Sequence, residues 1–247
     1  MYRTMLLLFM FSVTAMATPF SSLWNISNAR ILGSPKSITE ETEYSQNSKK
    51  VIVYNFSREG DVISQITLNG KSSPLYVTEL EYDIVGNLKA MHVKRVSNNA
   101  SLLSEEAEYD RGKLTSITRV NADGKIEATS DIACYPNRLV RSINMSSKLQ
   151  SANWEFKFND KQQLISSVFR ENGQVIMKKN FSNDEHGNPV KIITFNMQTG
   201  SKVTTFLNYI YDEKGNWTSC SQEINSSWGG DTFKRQIIIK RKIVYYT

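Results

Sequence analysis

The sequence is short of the residues on which most site chemistry depends. Its 247 residues hold two cysteines, Cys134 and Cys220, and two histidines, His92 and His186. Neither histidine has a second His or Cys at ligand spacing, which argues against a metal centre, and no cofactor is implied. The nucleophile-elbow, H-E-x-x-H, P-loop and dinucleotide fingerprints are missing. No long basic block or nucleic-acid motif occurs, so DNA and RNA are disfavoured as partners. Beyond the N-terminus no apolar run approaches the roughly 20 residues of a helical span, so no transmembrane segment is expected. Convincing helical periodicity is also absent.

What is present begins with a destination. Arg3 precedes an apolar run from Met5 to Val13, and Ala15-Met16-Ala17 has the small-x-small form of a cleavage site. This predicts a secretory signal peptide over residues 1–17, cleaved near Ala17, and a periplasmic or secreted product. No cysteine follows the run, so a bacterial lipid anchor is not expected. Removing Arg3 takes the net charge from +6 to +5, spread along the chain. Hydrophobic residues make up 40% of the sequence, enough to build a packed core and to argue against disorder of the whole chain. In an oxidising compartment two cysteines read first as one disulfide, Cys134 to Cys220, and second as two buried thiols. The N-x-S/T triplets, such as those at Asn25 and Asn216, are read as chance in an Asn- and Ser-rich bacterial chain.

A repeat is written in the turns. "YNFSREGDV", "LEYDIVGNL", "AEYDRGKL", "ACYPNRL", "FKFNDKQQL", "FSNDEHGNPV" and "YIYDEKGNW" follow one another at intervals of 23 to 28 residues. The residue before each turn is Phe56, Tyr82, Tyr109, Tyr135, Phe158, Asn183 or Tyr211. Pairs at i and i+2, such as Tyr54 with Phe56, share one face of a strand. Asp83, Asp110, Asp184 and Asp212 can accept hydrogen bonds from backbone N–H groups inside the turn. Glycine at 60, 86, 112, 187 and 215 suits the positive φ of a type I turn with a bulge. Asn137 takes the glycine place in the fourth unit, and Gln162 suits it less well, so the fifth turn is expected to differ.

β-prone segments such as "VISQITL" and "LISSVFR" follow these turns, and segments such as "NADGK" reverse the chain again. The expected fold is all-β: an antiparallel meander of about seven hairpins, about fourteen strands, with Ser37 to Tyr44 leading in. Open sheets rarely exceed about ten strands without curling. This one should therefore become a half-pipe, shell or barrel, burying the aromatic face. The expected domains are the signal peptide, a lead-in over 18–36, and one β-hairpin repeat domain over 37–247.

These turns resemble the YD repeats of Rhs-type bacterial surface and toxin-delivery proteins. With "LGSPKSITEETEY" at the start and "IIIKRKIVYY" at the end, the chain is similar to the YnfC-like family of small enterobacterial lipoproteins over about residues 33 to 246. It lacks that family's anchor cysteine and any long Rhs-type toxin domain. The resemblance implies a β-rich exported protein and no catalytic residue.

The remaining candidates have plain structural explanations. His186 in "DEHGN" belongs on a solvated turn tip, and His92 on a strand. Glu40 with Glu41, and Glu105 with Glu106, are strand neighbours that point to opposite faces and make no acid/base pair. Trp217, directly after the seventh turn, is the candidate for partial exposure and a partner contact. The basic segment "FKRQIIIKRKIVYY" reads as an edge strand defended by charge, or as a patch for anionic groups. The function expected is a non-enzymatic binding or structural module of the envelope or secreted space. The alternatives are an immunity or inhibitor protein against a secreted toxin, and a carrier of an apolar ligand. The partner is an unknown protein or envelope component, and the oligomeric state is open.

Overall fold

Alternation of apolar and polar residues on consecutive strands can be satisfied by one sheet with a sheltered face, provided that its edges meet. The structure, a computed structural model, describes residues 33–45, 48–68, 73–84, 87–137, 139–147 and 151–246. The expected signal peptide and most of the lead-in lie outside the described residues. The strands are β1 Pro35–Ser45, β2 Ser48–Phe56, β3 Val62–Leu68, β4 Pro74–Tyr82, β5 Leu88–Arg95, β6 Ala100–Asp110, β7 Lys113–Asn121 and β8 Ile126–Cys134. They continue with β9 Val140–Ser147, β10 Ser151–Phe158, β11 Leu164–Glu171, β12 Gln174–Asn183, β13 Pro189–Asn196, β14 Gly200–Tyr211, β15 Trp217–Trp228 and β16 Asp231–Tyr245. Each pairs antiparallel with the next, and β1 pairs with β16, which closes a barrel. Sixteen strands replace the expected fourteen, because β1 and β16 flank the seven repeat hairpins as full members.

Register decides what faces in. Ile38 of β1 pairs with Tyr54 and Ile243, Leu80 with Met91, Met91 with Glu105, and Ile132 with Ile143. This parity holds nearly all the buried apolar residues, including Ile38, Tyr54, Phe56, Met91, Ile117 and Phe169. The clusters they form run along the inside of β1–β5 and β7–β12. The opposite parity carries Glu106 and Glu108 on β6, Lys178 and Asn180 on β12, and Ser219, Glu223 and Asn225 on β15. A barrel that crosses a bilayer with its strands shows an outward apolar band about 25 Å tall. Here the outward faces of β6, β12 and β15 are largely charged and polar, although Ile193 and Phe195 of β13 also face out, and the larger apolar clusters point in. Among the described residues no helix is long and apolar enough to cross a membrane.

The seven repeat turns all fall on one rim. In six of them the first turn residue donates its N–H to the carbonyl four residues on, as Ser57 to Asp61, Tyr135 to Leu139 and Asp212 to Asn216, at 2.8 to 3.0 Å. Asp83, Asp184 and Asp212 also accept, through Oδ1, the N–H of Asn87, Asn188 and Asn216 at 2.8 to 2.9 Å. Gly215, at φ 82°, sits where a Cβ would strain the turn. Three expectations change here. The third hairpin is a tight two-residue turn in which Asp110 pairs with Lys113 and both Arg111 and Gly112 have positive φ. In the fourth, Cys134 rather than Tyr135 pairs with the next strand, so the glycine-equivalent position is residue 138, outside the described residues, and not Asn137. The fifth turn does not differ. Gln162 adopts φ 62° and donates to Asn159 O at 2.9 Å like the glycines.

The repeats are tied side to side. Tyr82 Oη donates to Val62 O at 2.9 Å, and Tyr209 Oη to Pro189 O at 2.8 Å. The acceptors are first residues of the strand leaving the preceding repeat turn. Asn183, the non-aromatic exception in the sequence, makes the equivalent bond with its amide, Nδ2 to Leu164 O at 3.0 Å. Its residue type breaks the pattern while its hydrogen bond keeps it. Burial pushes the Tyr82 hydroxyl pKa up to about 12, so these donors keep their protons.

The seam between β1 and β16 completes the ring. Tyr246 N–H donates to Ser34 O at 2.9 Å. Tyr245 Oη bonds Asp212 and accepts from Asn216 Nδ2 at 2.8 Å, while Tyr246 Oη donates to Phe56 O at 2.7 Å. The terminal tyrosine pair thus bridges the seventh turn to the first. Arg241 with Glu40 at 2.9 Å and Lys240 with Glu43 at 3.2 Å fix the register of an acidic β1 against a basic β16. The edge-strand expectation for β16 is therefore wrong: it pairs with β15 from Asp231 to Lys240 and with β1 from Ile238 to Tyr245, so it closes the ring.

Candidate functional surfaces

The expected disulfide is not formed. Cys134 on β8 and Cys220 on β15 are free thiols on strands seven ladder steps apart, and the sheet closes without them. Cys134 Sγ points to Leu114 O at 3.5 Å. Cys220 is buried, and burial pushes its pKa up to about 11 despite the opposing charge of Arg241. Burial likewise raises the Cys134 thiol. Neither environment produces a thiolate nucleophile.

Trp217 is half-buried and faces inward, because the bulge after the seventh turn pairs it with Tyr211. The Arg241 guanidinium lies over its ring at 3.4 Å, with Tyr209 edge-on at 5.8 Å. This is a cation–π contact inside the seam. His186 sits on the sixth turn tip against Tyr211, with ring centroids 5.1 Å apart. His92 faces outward toward Glu81, at 3.4 Å. Glu40 and Glu105 point in, while Glu41 and Glu106 point out, as neighbours on a strand must.

The interior holds charge as well as apolar surface. Glu105 and Arg119, opposite each other on β6 and β7, form a buried ion pair, Nε to Oε1 at 2.7 Å. Glu105 Oε2 is buried without a hydrogen-bond partner, and burial raises the carboxyl pKa against the pull of Arg119. Lys179 also faces in, opposite Ser167 and Thr194. Burial lowers its pKa, and Lys202, across Thr194 on β14, lowers it further. On the outer wall a shallow groove of about 430 Å³ runs between β8 and β11. Its Arg170 is already engaged by Glu155 at 2.8 Å and Asn153 at 3.3 Å.

The rim opposite the repeat turns is different in kind. Large apolar side chains stand in solvent beside its turns: Ile126 is 61% exposed, Met197 61%, Trp228 63% and Phe233 60%, with Leu75 and Val96 also open. Part of this rim projects. Asp231 to Ile237 of β16 have a ladder partner on β15 alone, because the β1 ladder stops at Ile238. A run of that length extends on the order of 20 Å past the end of the β1 ladder. Arg235 steadies its base, donating to Tyr44 O at 3.3 Å with its guanidinium 5.0 Å from the Tyr44 ring centre. Sequence reasoning placed Phe233 on the last strand and read Trp228 as core packing, with Trp217 as the candidate for exposure. The missed signal was the "WGGDTF" hairpin, whose glycines at φ 60° and 94° force a tight turn between two aromatics.

With this geometry in hand, known proteins can be compared. The chain is similar to a porin-like protein from Bacteroides uniformis, with a TM-score of 0.59 and 11% identity, covering 87% of this chain and 98% of that one. A porin-like protein from Bacteroides vulgatus aligns at a TM-score of 0.47 and 12% identity, over 86% and 98% of the two chains. The TcdB2-TccC3 structure aligns at 0.35 and 11% identity, and this chain covers only 14% of that one. At such identities the likeness is one of fold, and it rests on the first of the three. No family model matches the sequence, and no curated protein matches it.

Proposed function

We propose that this chain is a non-enzymatic, exported binding module of the bacterial envelope or secreted space, and that it binds through the rim opposite its repeat turns. The observation that carries this is that, among the described residues, the exposed large aromatics Tyr76, Phe195, Trp228 and Phe233 all lie toward that rim, with exposed Ile126 and Met197 beside its turns. Contiguous exposed apolar surface marks interaction sites in water-soluble folds. A transmembrane pore is a poorer account, because the outward faces of β6, β12 and β15 carry Glu, Lys, Ser and Asn and so interrupt any apolar band. The recurring turn, its tyrosine ties and the leader-like N-terminus support kinship with YD repeats and an exported location. The experiment is sedimentation of purified protein with washed envelope fractions. Trp228→Ala/Phe233→Ala should lose the association and Ile84→Ala, on a repeat-turn tip, should keep it. Equal binding by both variants would refute the assignment to this rim.

A further inference from the structure

The projecting β15–β16 hairpin has a composition that narrows the partner, and the narrowing rests on the rim assignment above. Trp228, Phe233 and Arg235 share the parity that faces inward lower in the barrel. Past the end of β1 that face is open to solvent, which is why two large aromatics are mostly exposed there. Lys202 joins the same face, since it pairs with Ser226 and Ser226 pairs with Phe233. Lys234 stands on the reverse face. Among the described residues no carboxylate forms an ion pair with Lys202 or Lys234, whereas Lys240 at the seam is paired with Glu43. The acids of the hairpin are Asp231 at its turn and Glu223 on the reverse face.

We propose that this hairpin docks the protein onto an anionic lipid surface, with Trp228 and Phe233 entering the headgroup region and Lys202, Lys234 and Arg235 meeting lipid phosphates. Tryptophan settles at the water–bilayer boundary because its apolar ring can sink while its N–H stays wet, and phenylalanine adds apolar anchorage beside it. Each Lys or Arg near an anionic leaflet adds to the attraction, which salt screens within a Debye length. The contact is the step where β14, β15 and β16 outrun β1, with aromatics at the tip and Lys202 and Lys234 behind them. That shape suits insertion into a soft interface, whereas a protein partner would have to supply a matching pocket lined with acids. Met197, in the neighbouring turn of the same rim, adds a second apolar point of contact.

The test is co-sedimentation of the purified chain with vesicles of phosphatidylcholine plus phosphatidylglycerol, against vesicles of phosphatidylcholine alone, with tryptophan emission followed in parallel. Binding is expected to the anionic vesicles only, to weaken as salt rises, and to shift the emission to the blue. Trp228→Ala/Phe233→Ala should weaken binding about tenfold or more, since burying aromatic area is the main apolar gain. Lys234→Glu, a solvent-facing change that leaves the ladder intact, should weaken it at low salt, so the outcome does not hinge on one variant folding. Equal binding to both vesicle types, or anionic binding unchanged in both variants, would overturn the lipid assignment. If envelope fractions bind through the hairpin while anionic vesicles do not, the rim assignment stands and the partner is a protein. If neither binds, both fail.

Discussion

The two rims of the barrel are built from the same hairpins and solve opposite problems. On the repeat-turn rim, Asp83, Asp184 and Asp212 cap their own turns, and Tyr82, Asn183 and Tyr209 tie each turn to its neighbour. Tyr245 and Tyr246 carry the ties across the seam. The other rim has turn bonds of its own, such as Asn121 N–H to Lys125 O and Met197 N–H to Ile176 O, both at 3.0 Å, but it leaves Ile126, Met197, Trp228 and Phe233 in water. Both rims cap their turns with side chains, but among the described residues the exposed large aromatics, Tyr76, Phe195, Trp228 and Phe233, all lie toward the second. Stability should therefore respond to substitutions near the repeat turns and inside the barrel, and binding to substitutions at the open rim.

The largest effect is expected at Tyr54, buried beneath the first repeat turn and packed in the first interior cluster. Tyr54→Ala should cost about 3 to 5 kcal/mol, seen as a lower urea midpoint; a loss under about 1 kcal/mol would mean that the repeat aromatics are not the core. Glu105→Ala should cost about 3 kcal/mol by removing the ionic partner of buried Arg119, while Glu105→Met/Arg119→Met should recover most of it. Failure of the double variant to recover would show that the pair specifies more than charge balance.

A smaller effect is expected at the seventh turn. Burial works against ionisation of Asp212, but hydrogen bonds from Tyr245 and from the N–H groups of Asn216 and Lys214 hold its pKa below the usual value. A carboxylate depressed in the folded state stabilises fully above its unfolded pKa and loses that contribution as pH falls through the folded value. Stability should therefore drop between the ordinary aspartate range and lower pH. Asp212→Asn should flatten that part of the pH profile and cost about 1 kcal/mol at neutral pH. An unchanged acid limb in the variant would exclude Asp212 as the seam's titrating group. Gln162→Gly should raise stability by up to about 1 kcal/mol, by relieving a non-glycine residue held at φ 62°. Least of all, Trp228→Ala should stay within about 0.5 kcal/mol of the parent; a large loss would erase the contrast between the rims.

Most of the repeat rim was legible in the sequence because its chemistry is local. A turn acid accepts from a backbone only four residues away, so the pattern shows on the page. The frame slipped where a local rule was overridden. Tyr135 looks like the fourth anchor, yet the strand pairing falls on Cys134. Curling was legible from the strand count, but the pairing of β1 with β16 that closes the barrel was not, although its charges were. Glu40 and Glu43 lie some 200 residues from Arg241 and Lys240, and nothing in short-range periodicity joins them. The free thiols follow from the same gap, since the disulfide was argued from compartment rather than from which strands meet. The open rim was the least visible feature. Trp228 and Phe233 look like ordinary alternating strand residues until it is known that β16 outruns β1.

The division between the rims is tested most directly by hydrogen–deuterium exchange of the purified chain with and without anionic vesicles. Protection is predicted at the turns around residues 96–99, 121–125, 197–200 and 229–230, with the repeat turns at 57–61, 184–188 and 212–216 already slow and unchanged. Protection gained at the repeat turns, with none at the open rim, would contradict it.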